Sequence, residues 1–104
     1  MEIREMLPET EILAQMAVEA LELKNAASRL RRLLDAGNPK QADISEAWTR
    51  LLEEYGDVQN CGEQLLSGLD MDVCAAMRAE RMDEWKRQIE SEMDGGASGH
   101  KTQN

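Results

Sequence analysis

Apolar residues recur at steps of three and four along three long stretches of this chain, and that spacing sets its fold class. In the first stretch Leu13, Met16, Ala17, Ala20, Leu23, Ala27, Leu30 and Leu34 fall on one helical face. Pro8 followed by Glu9 and Glu11 marks the start, with proline in the first turn and acids at the positive end of the dipole. Arg29, Arg31 and Arg32 suit the other end, and Gly37-Asn38-Pro39 stops the helix. Asp43 with Glu46 three residues on reads as a capping box that opens a second helix, whose core face carries Ile44, Ala47, Trp48, Leu51, Tyr55, Val58 and Leu65. Gly56 and Gly62 inside it each cost about 1 kcal/mol against alanine, which predicts close approach of another helix or a ligand. Ser67-Gly68 ends this helix. Asp70 or Asp72 caps a third, running to about Met93 through Val73, Ala76, Met77, Trp85 and Ile89.

No strand pattern and no internal repeat interrupts these segments. Aromatics are limited to Trp48, Trp85 and Tyr55, so Leu, Ala and Met must fill the interior, which also favours helix over sheet. Helices of this length are rods of about 30–40 Å, and a layer of three cannot cover its own apolar faces. The expectation is an all-α antiparallel helical bundle, one domain over residues 1–93, completed by oligomerisation as a homodimer or a tetramer. Residues 94–104 have nothing to bury and are expected to be disordered.

Twelve basic against 21 acidic residues give a formal charge of −9, which argues against a nucleic-acid polymer spread over the surface, because such binding needs a basic face. No run approaches the roughly 18 apolar residues of a membrane span, and Met1 to Leu7 lack a basic region leading into an apolar core. These features predict a cytoplasmic protein with no membrane partner. Cys61 and Cys74 have no CxxC spacing and the only histidine is His100, which argues against zinc and against a Cys-His nucleophile. Both cysteines are expected to be reduced and partly buried. Chemistry must therefore come from carboxylates, Lys, Arg and amides.

Four acids stand out by position. Glu19 falls between Ile12 and Ala26 on the helical wheel, inside the apolar sector, and Glu22 lies at its edge near Leu33. On the second helix Glu54 flanks the stripe, with Asp57 further round on the same side and Cys61 between them in angle. Each pair is spaced i, i+3 and so shares a helix face. Brought together on neighbouring antiparallel helices, four carboxylates cannot all stay ionised without a cation. Oxygen donors of this kind select magnesium, manganese or calcium.

These residues carry a family resemblance. Glu19-Ala20-Leu21-Glu22, an interval of 31 residues, and Glu54-Tyr55-Gly56-Asp57 resemble the ExxE…ExxD signature of the MazG-like, all-α nucleoside triphosphate pyrophosphohydrolases. Glu19 to Leu30 looks like the first metal helix of that family and Glu53 to Leu65 like the second. Arg81 to Glu90 is similar to the basic helix that follows; Arg81 matches its first basic position, whereas Glu84 occupies the second. The similarity runs over approximately Ile12 to Glu90. It implies hydrolysis of a nucleoside triphosphate to the monophosphate and pyrophosphate, in nucleotide-pool housekeeping. Glu19, Glu22, Glu54 and Asp57 would hold Mg²⁺, or Mn²⁺ as a substitute, with one of them positioning the attacking water. Lys24 and Arg81 would contact phosphates and Asn60 the ligand. Trp48 is a core residue on its spacing, or a surface on which a base stacks. Two other functions fit the same acids: a small helical interaction protein whose acidic face binds a basic partner, and a nucleotide-binding relative without turnover.

Overall fold

The computed structural model describes residues 1–95, and among them helices are the only regular elements. A short α1 (Ile3–Met6) precedes three long helices, α2 (Glu9–Asp35), α3 (Gln41–Leu65) and α4 (Gly68–Gly95). The described residues are all-α, and no helix among them is long and apolar enough to cross a membrane. The chain divides into two compact units, Met1–Leu66 and the segment from Ser67 onward.

The helix ends follow the punctuation, with shifts of one to three residues that have local causes. Pro8 sits at the N-cap of α2 rather than inside its first turn, and α2 ends at Asp35, just before Gly37-Asn38-Pro39. Lys40, not Asp43, is the N-cap of α3, and no side chain caps it. The expected Asp43–Glu46 capping box does not form, because the Glu46 carboxylate instead accepts a 2.8 Å hydrogen bond from the Arg29 guanidinium on α2. Ser67 belongs to the start of α4 rather than to the end of α3. The Asp70 N–H donates to Ser67 Oγ at 3.1 Å while the Ser67 N–H donates to Asp70 Oδ2 at 3.0 Å, a reciprocal capping box. These bonds hold the Asp70 carboxyl below its ordinary range. Helix α4 continues through Asp94 and Gly95, and the rest of the expected tail lies outside the described residues.

The first unit is an antiparallel pair of α2 and α3. Arg29 near the end of α2 meets Glu46 near the start of α3, whereas α1, just ahead of α2, is fastened to the end of α3. There the Arg4 guanidinium donates to the Glu63 carbonyl at 2.7 Å and the Arg4 N–H donates to the Gln64 side-chain oxygen at 3.2 Å. A cation at a helix C-terminus complements the dipole. Nothing in the sequence patterning marked α1, which is a single turn.

Both long helices meet along a seam stepping by three and four. On α2 it runs through Ile12, Met16, Glu19, Leu23, Ala26, Leu30 and Leu33, and on α3 through Ile44, Ala47, Leu51, Glu54, Val58, Cys61 and Leu65, all of them buried or half-buried. This is the alternation by which two helices interlock side chains over several turns. The expected α2 face was therefore rotated: Leu13 and Leu34 are exposed. On α3, Trp48 (48 % exposed) and Tyr55 (52 % exposed) lie outside the core in which they were expected. Ala47, 1 % exposed, is the most deeply buried of the core residues.

The interior glycines of α3 have a simpler role than expected. A Cβ built on Gly56 or Gly62 meets no atom within 4 Å, so neither marks a close approach. Gly62→Ala is accordingly expected to raise the unfolding free energy by about 0.5–1 kcal/mol, measured by urea titration. A loss of stability would mean that a neighbour closes on that position.

The second unit is α4 itself. It contains no buried residue, and Val73, Met77, Trp85 and Ile89, the face expected to be covered, are exposed. Cys74 is half-buried and, like Cys61, free.

Candidate metal centre

The α2–α3 seam is apolar except at its middle, where Glu19 and Glu54 occupy positions that the periodicity reserves for core residues. Glu54 is the extreme case. It is 3 % exposed and the only buried charged residue among the described residues. Arg50, one turn earlier on α3, places its Nε 2.9 Å from Glu54 Oε2, and the other oxygen, Oε1, is buried with no hydrogen-bond partner. An unsatisfied buried polar atom costs about 1–3 kcal/mol, more when charged. Such a group persists where something else completes it.

Its neighbours are two more carboxylates. One oxygen each from Glu19, Glu22 and Glu54 lies within 4.8 Å of the other two. Ligand distances of about 2.0–2.6 Å place two oxygens on one ion no more than about 5 Å apart, so the three are spaced for a single hard cation. Glu19 is half-buried and its Oε2 accepts a hydrogen bond from Gln15 Nε2, which fixes its orientation. Glu22 is exposed, and its carboxyl is pushed above the ordinary glutamate range, first by a shared hydrogen bond and the charge of Glu19, then by desolvation and the charge of Glu54; Arg50 opposes this. Like charges are thus already in tension. The donor set, all carboxylate oxygen, fits Mg²⁺, Mn²⁺ or Ca²⁺ and fits Zn²⁺ or copper less well.

Of the four acids singled out by spacing, the structure gathers Glu19, Glu22 and Glu54. Asp57 is exposed one turn further along α3 and is not part of that group. It nevertheless lies near enough to Cys61 to raise its thiol pKa, together with burial, the largest cause, and Glu19. Lys24 is exposed on α2. Asn60 lines an apolar cavity of about 400 Å³ with Leu7, Ile12, Gln15 and Cys61. Arg81 is exposed on α4, in the other unit.

A larger cleft of about 690 Å³ opens beside the acids, between α2 and α3, within the size range of small-molecule sites. Glu22 and Glu53 lie at the cluster side, and Asn25, Arg29, Thr49 and Arg50 supply hydrogen-bond donors. The sequence pattern gives Arg29 a helix-end role and assigns none to Thr49 or Arg50. For Arg50 the signal was available, since a basic residue at i−4 from an acid in the seam is the natural intrahelical partner for it.

No family model matches the chain, and no curated protein or solved structure matches it significantly.

Proposed function

We propose that the protein is a Mg²⁺-dependent nucleoside triphosphate pyrophosphohydrolase of the MazG-like type, in which Glu19, Glu22 and Glu54 hold the metal and Asp57 stands beside them. The observation that carries this is the buried Glu54 carboxylate with an orphaned oxygen, set within reach of two further glutamates on the facing helix. The ExxE and ExxD spacing, which resembles that family, supports it. Held by Glu19, Glu22 and Glu54, a divalent ion would supply Lewis-acid chemistry, offsetting charge that develops on the phosphates and lowering the pKa of an attacking water.

The chain's own groups have separable tasks. Glu19, oriented by Gln15, and Glu54, fixed by the packing of the seam, form the rigid part of the donor set. Glu22, exposed, is the member of the set that faces solvent and lines the cleft. Asn25, Thr49 and Arg29 offer donors to phosphate oxygens along the cleft. Lys24, Asn60 and Arg81 remain the further substrate contacts that the resemblance implies.

Self-association into an antiparallel bundle, as a homodimer or a tetramer, belongs to the same proposal. Supporting it are the apolar side chains exposed in the single chain, among them Leu52, Tyr55, Met77, Trp85 and Met93. Light scattering on the purified chain tests it. Activity is tested by incubating the protein with Mg²⁺ and a panel of canonical and modified nucleoside triphosphates and measuring both products. Equal amounts of monophosphate and pyrophosphate are expected for at least one substrate. Nucleotide binding without either product identifies a binding module instead, and neither binding nor product leaves the acidic interaction protein.

A further inference from the structure

Arg50 occupies the place where two demands meet. On one side it is the sole ion-pair partner found for buried Glu54, through Nε at 2.9 Å. On the other it lines the 690 Å³ cleft, where its side chain, more than half exposed, has a second and looser acid neighbour in Glu53 at 3.8 Å. A guanidinium has five N–H donors in a flat fork, and the contact with Glu54 engages one edge only.

The cleft's charge makes this arrangement informative. Arg29 and Arg50 are its basic residues, and each is tied to a glutamate, Arg29 to Glu46 at 2.8 Å and Arg50 to Glu54. With Glu22, Glu46 and Glu53 also on its walls, the cleft repels an anion as it stands. Three clustered carboxylates against one guanidinium retain excess negative charge, which a dication neutralises more fully than Arg50 does. Arg50 holds Oε2 of Glu54 and leaves Oε1 open, so an ion on Oε1 draws on the same carboxylate charge that holds Arg50. A cation seated on Glu54 weakens the hold on Arg50 by competition for the carboxylate and by repulsion.

We propose that Arg50 is an exchangeable internal counter-ion: it neutralises Glu54 in the metal-free protein, is released when a divalent cation neutralises the carboxylate cluster instead, and then binds an oxyanion of the phosphate class in the α2–α3 cleft. Metal and phosphate binding are thereby ordered, metal first. This rests on the metal-centre reading above and adds to it a residue that the motif does not contain.

The test uses the wild-type chain and Arg50→Gln, with Mg²⁺ alone and then Mg²⁺ with tripolyphosphate as probes. In the wild type the Arg50 Nε–H, followed by ¹⁵N NMR, is expected to be protected from solvent exchange without metal, to lose protection on saturation with Mg²⁺, and to regain it when tripolyphosphate is added. Calorimetry on Arg50→Gln is expected to give opposite shifts. Mg²⁺ binds tighter, because a competing cation is gone, and tripolyphosphate in saturating Mg²⁺ binds about tenfold or more weaker, the worth of a charge-assisted hydrogen bond. Should Arg50→Gln fail to fold, the wild-type NMR titration decides alone. Mg²⁺ binding with the Nε–H unchanged, or both affinities moving in the same direction, overturns the exchange while leaving the metal centre intact. Absence of Mg²⁺ binding by the wild type overturns both.

Discussion

Replacing Glu54 with glutamine is expected to cut pyrophosphate release by at least about 100-fold while leaving the helices folded. Groups that merely support a metal ligand cost 10–100-fold when removed, and Glu54 is proposed as a ligand. Glutamine has the same shape, so the seam between Ala47 and Val58 keeps its packing, and its amide oxygen can still accept from Arg50 Nε. What is lost is the negative charge and the oxygen Oε1 that has no partner within the chain. Circular dichroism separates the two effects. Full helix content with activity within threefold of wild type would remove Glu54 from the site.

The second large effect concerns stability and pH. At neutral pH and a Mg²⁺ concentration a hundred times its dissociation constant, mass action stabilises the folded state by about 2.7 kcal/mol, which in a unit of this size raises the melting temperature by at least about 10 °C. The increment should shrink in acid. Glu22 has a raised pKa because Glu19 shares a hydrogen bond with it and because Glu19 and Glu54 add like charge, opposed by Arg50. The folded state therefore holds that proton more tightly than the unfolded chain does. The stability this contributes is fully present below the unfolded pKa and is lost as pH rises through the raised folded value. Metal-free protein thus loses part of its stability between mildly acidic and neutral pH, where the metal-bound form gains most. A melting temperature indifferent to Mg²⁺ at pH 7 would contradict this, as would a shift of equal size in acid.

The parts of this fold that were legible in the sequence are those set by local rules. Pro8, Gly37-Asn38-Pro39 and Ser67 cannot continue a helix cheaply, and the boundaries of α2, α3 and α4 follow them closely. Which arc of each helix turns inward depends on the partner, and there the patterning erred. On α3 two parallel stripes compete: Ala47, Leu51, Glu54 and Val58 against Trp48, Leu52 and Tyr55. The second is the more hydrophobic, yet the first is the one buried or half-buried, with Ala47 small enough to be covered almost completely and Arg50 supplying Glu54 with a counter-charge.

The site divides in the same way. Glu19 stood out because its wheel position between Ile12 and Ala26 contradicts its chemistry, and the structure keeps it there, half-buried. Glu54 was set at a flank because a hydrophobic pattern places acids at edges; in the structure it lies at the centre of the seam. Asp57, paired with Glu54 by spacing, is exposed and does not join the three-glutamate group. The cleft beside them was not legible at all. Arg29, Thr49 and Asn25 come together only when α2 and α3 lie antiparallel in this register.

The most direct measurement is a calorimetric titration of the metal-free wild-type chain with Mn²⁺, repeated on Glu54→Gln. A cation-holding cluster built from Glu19, Glu22 and Glu54 predicts saturable binding to the wild type and at least about a hundredfold weaker binding to the variant. No saturable binding by the wild type, or the same affinity in both proteins, would contradict it.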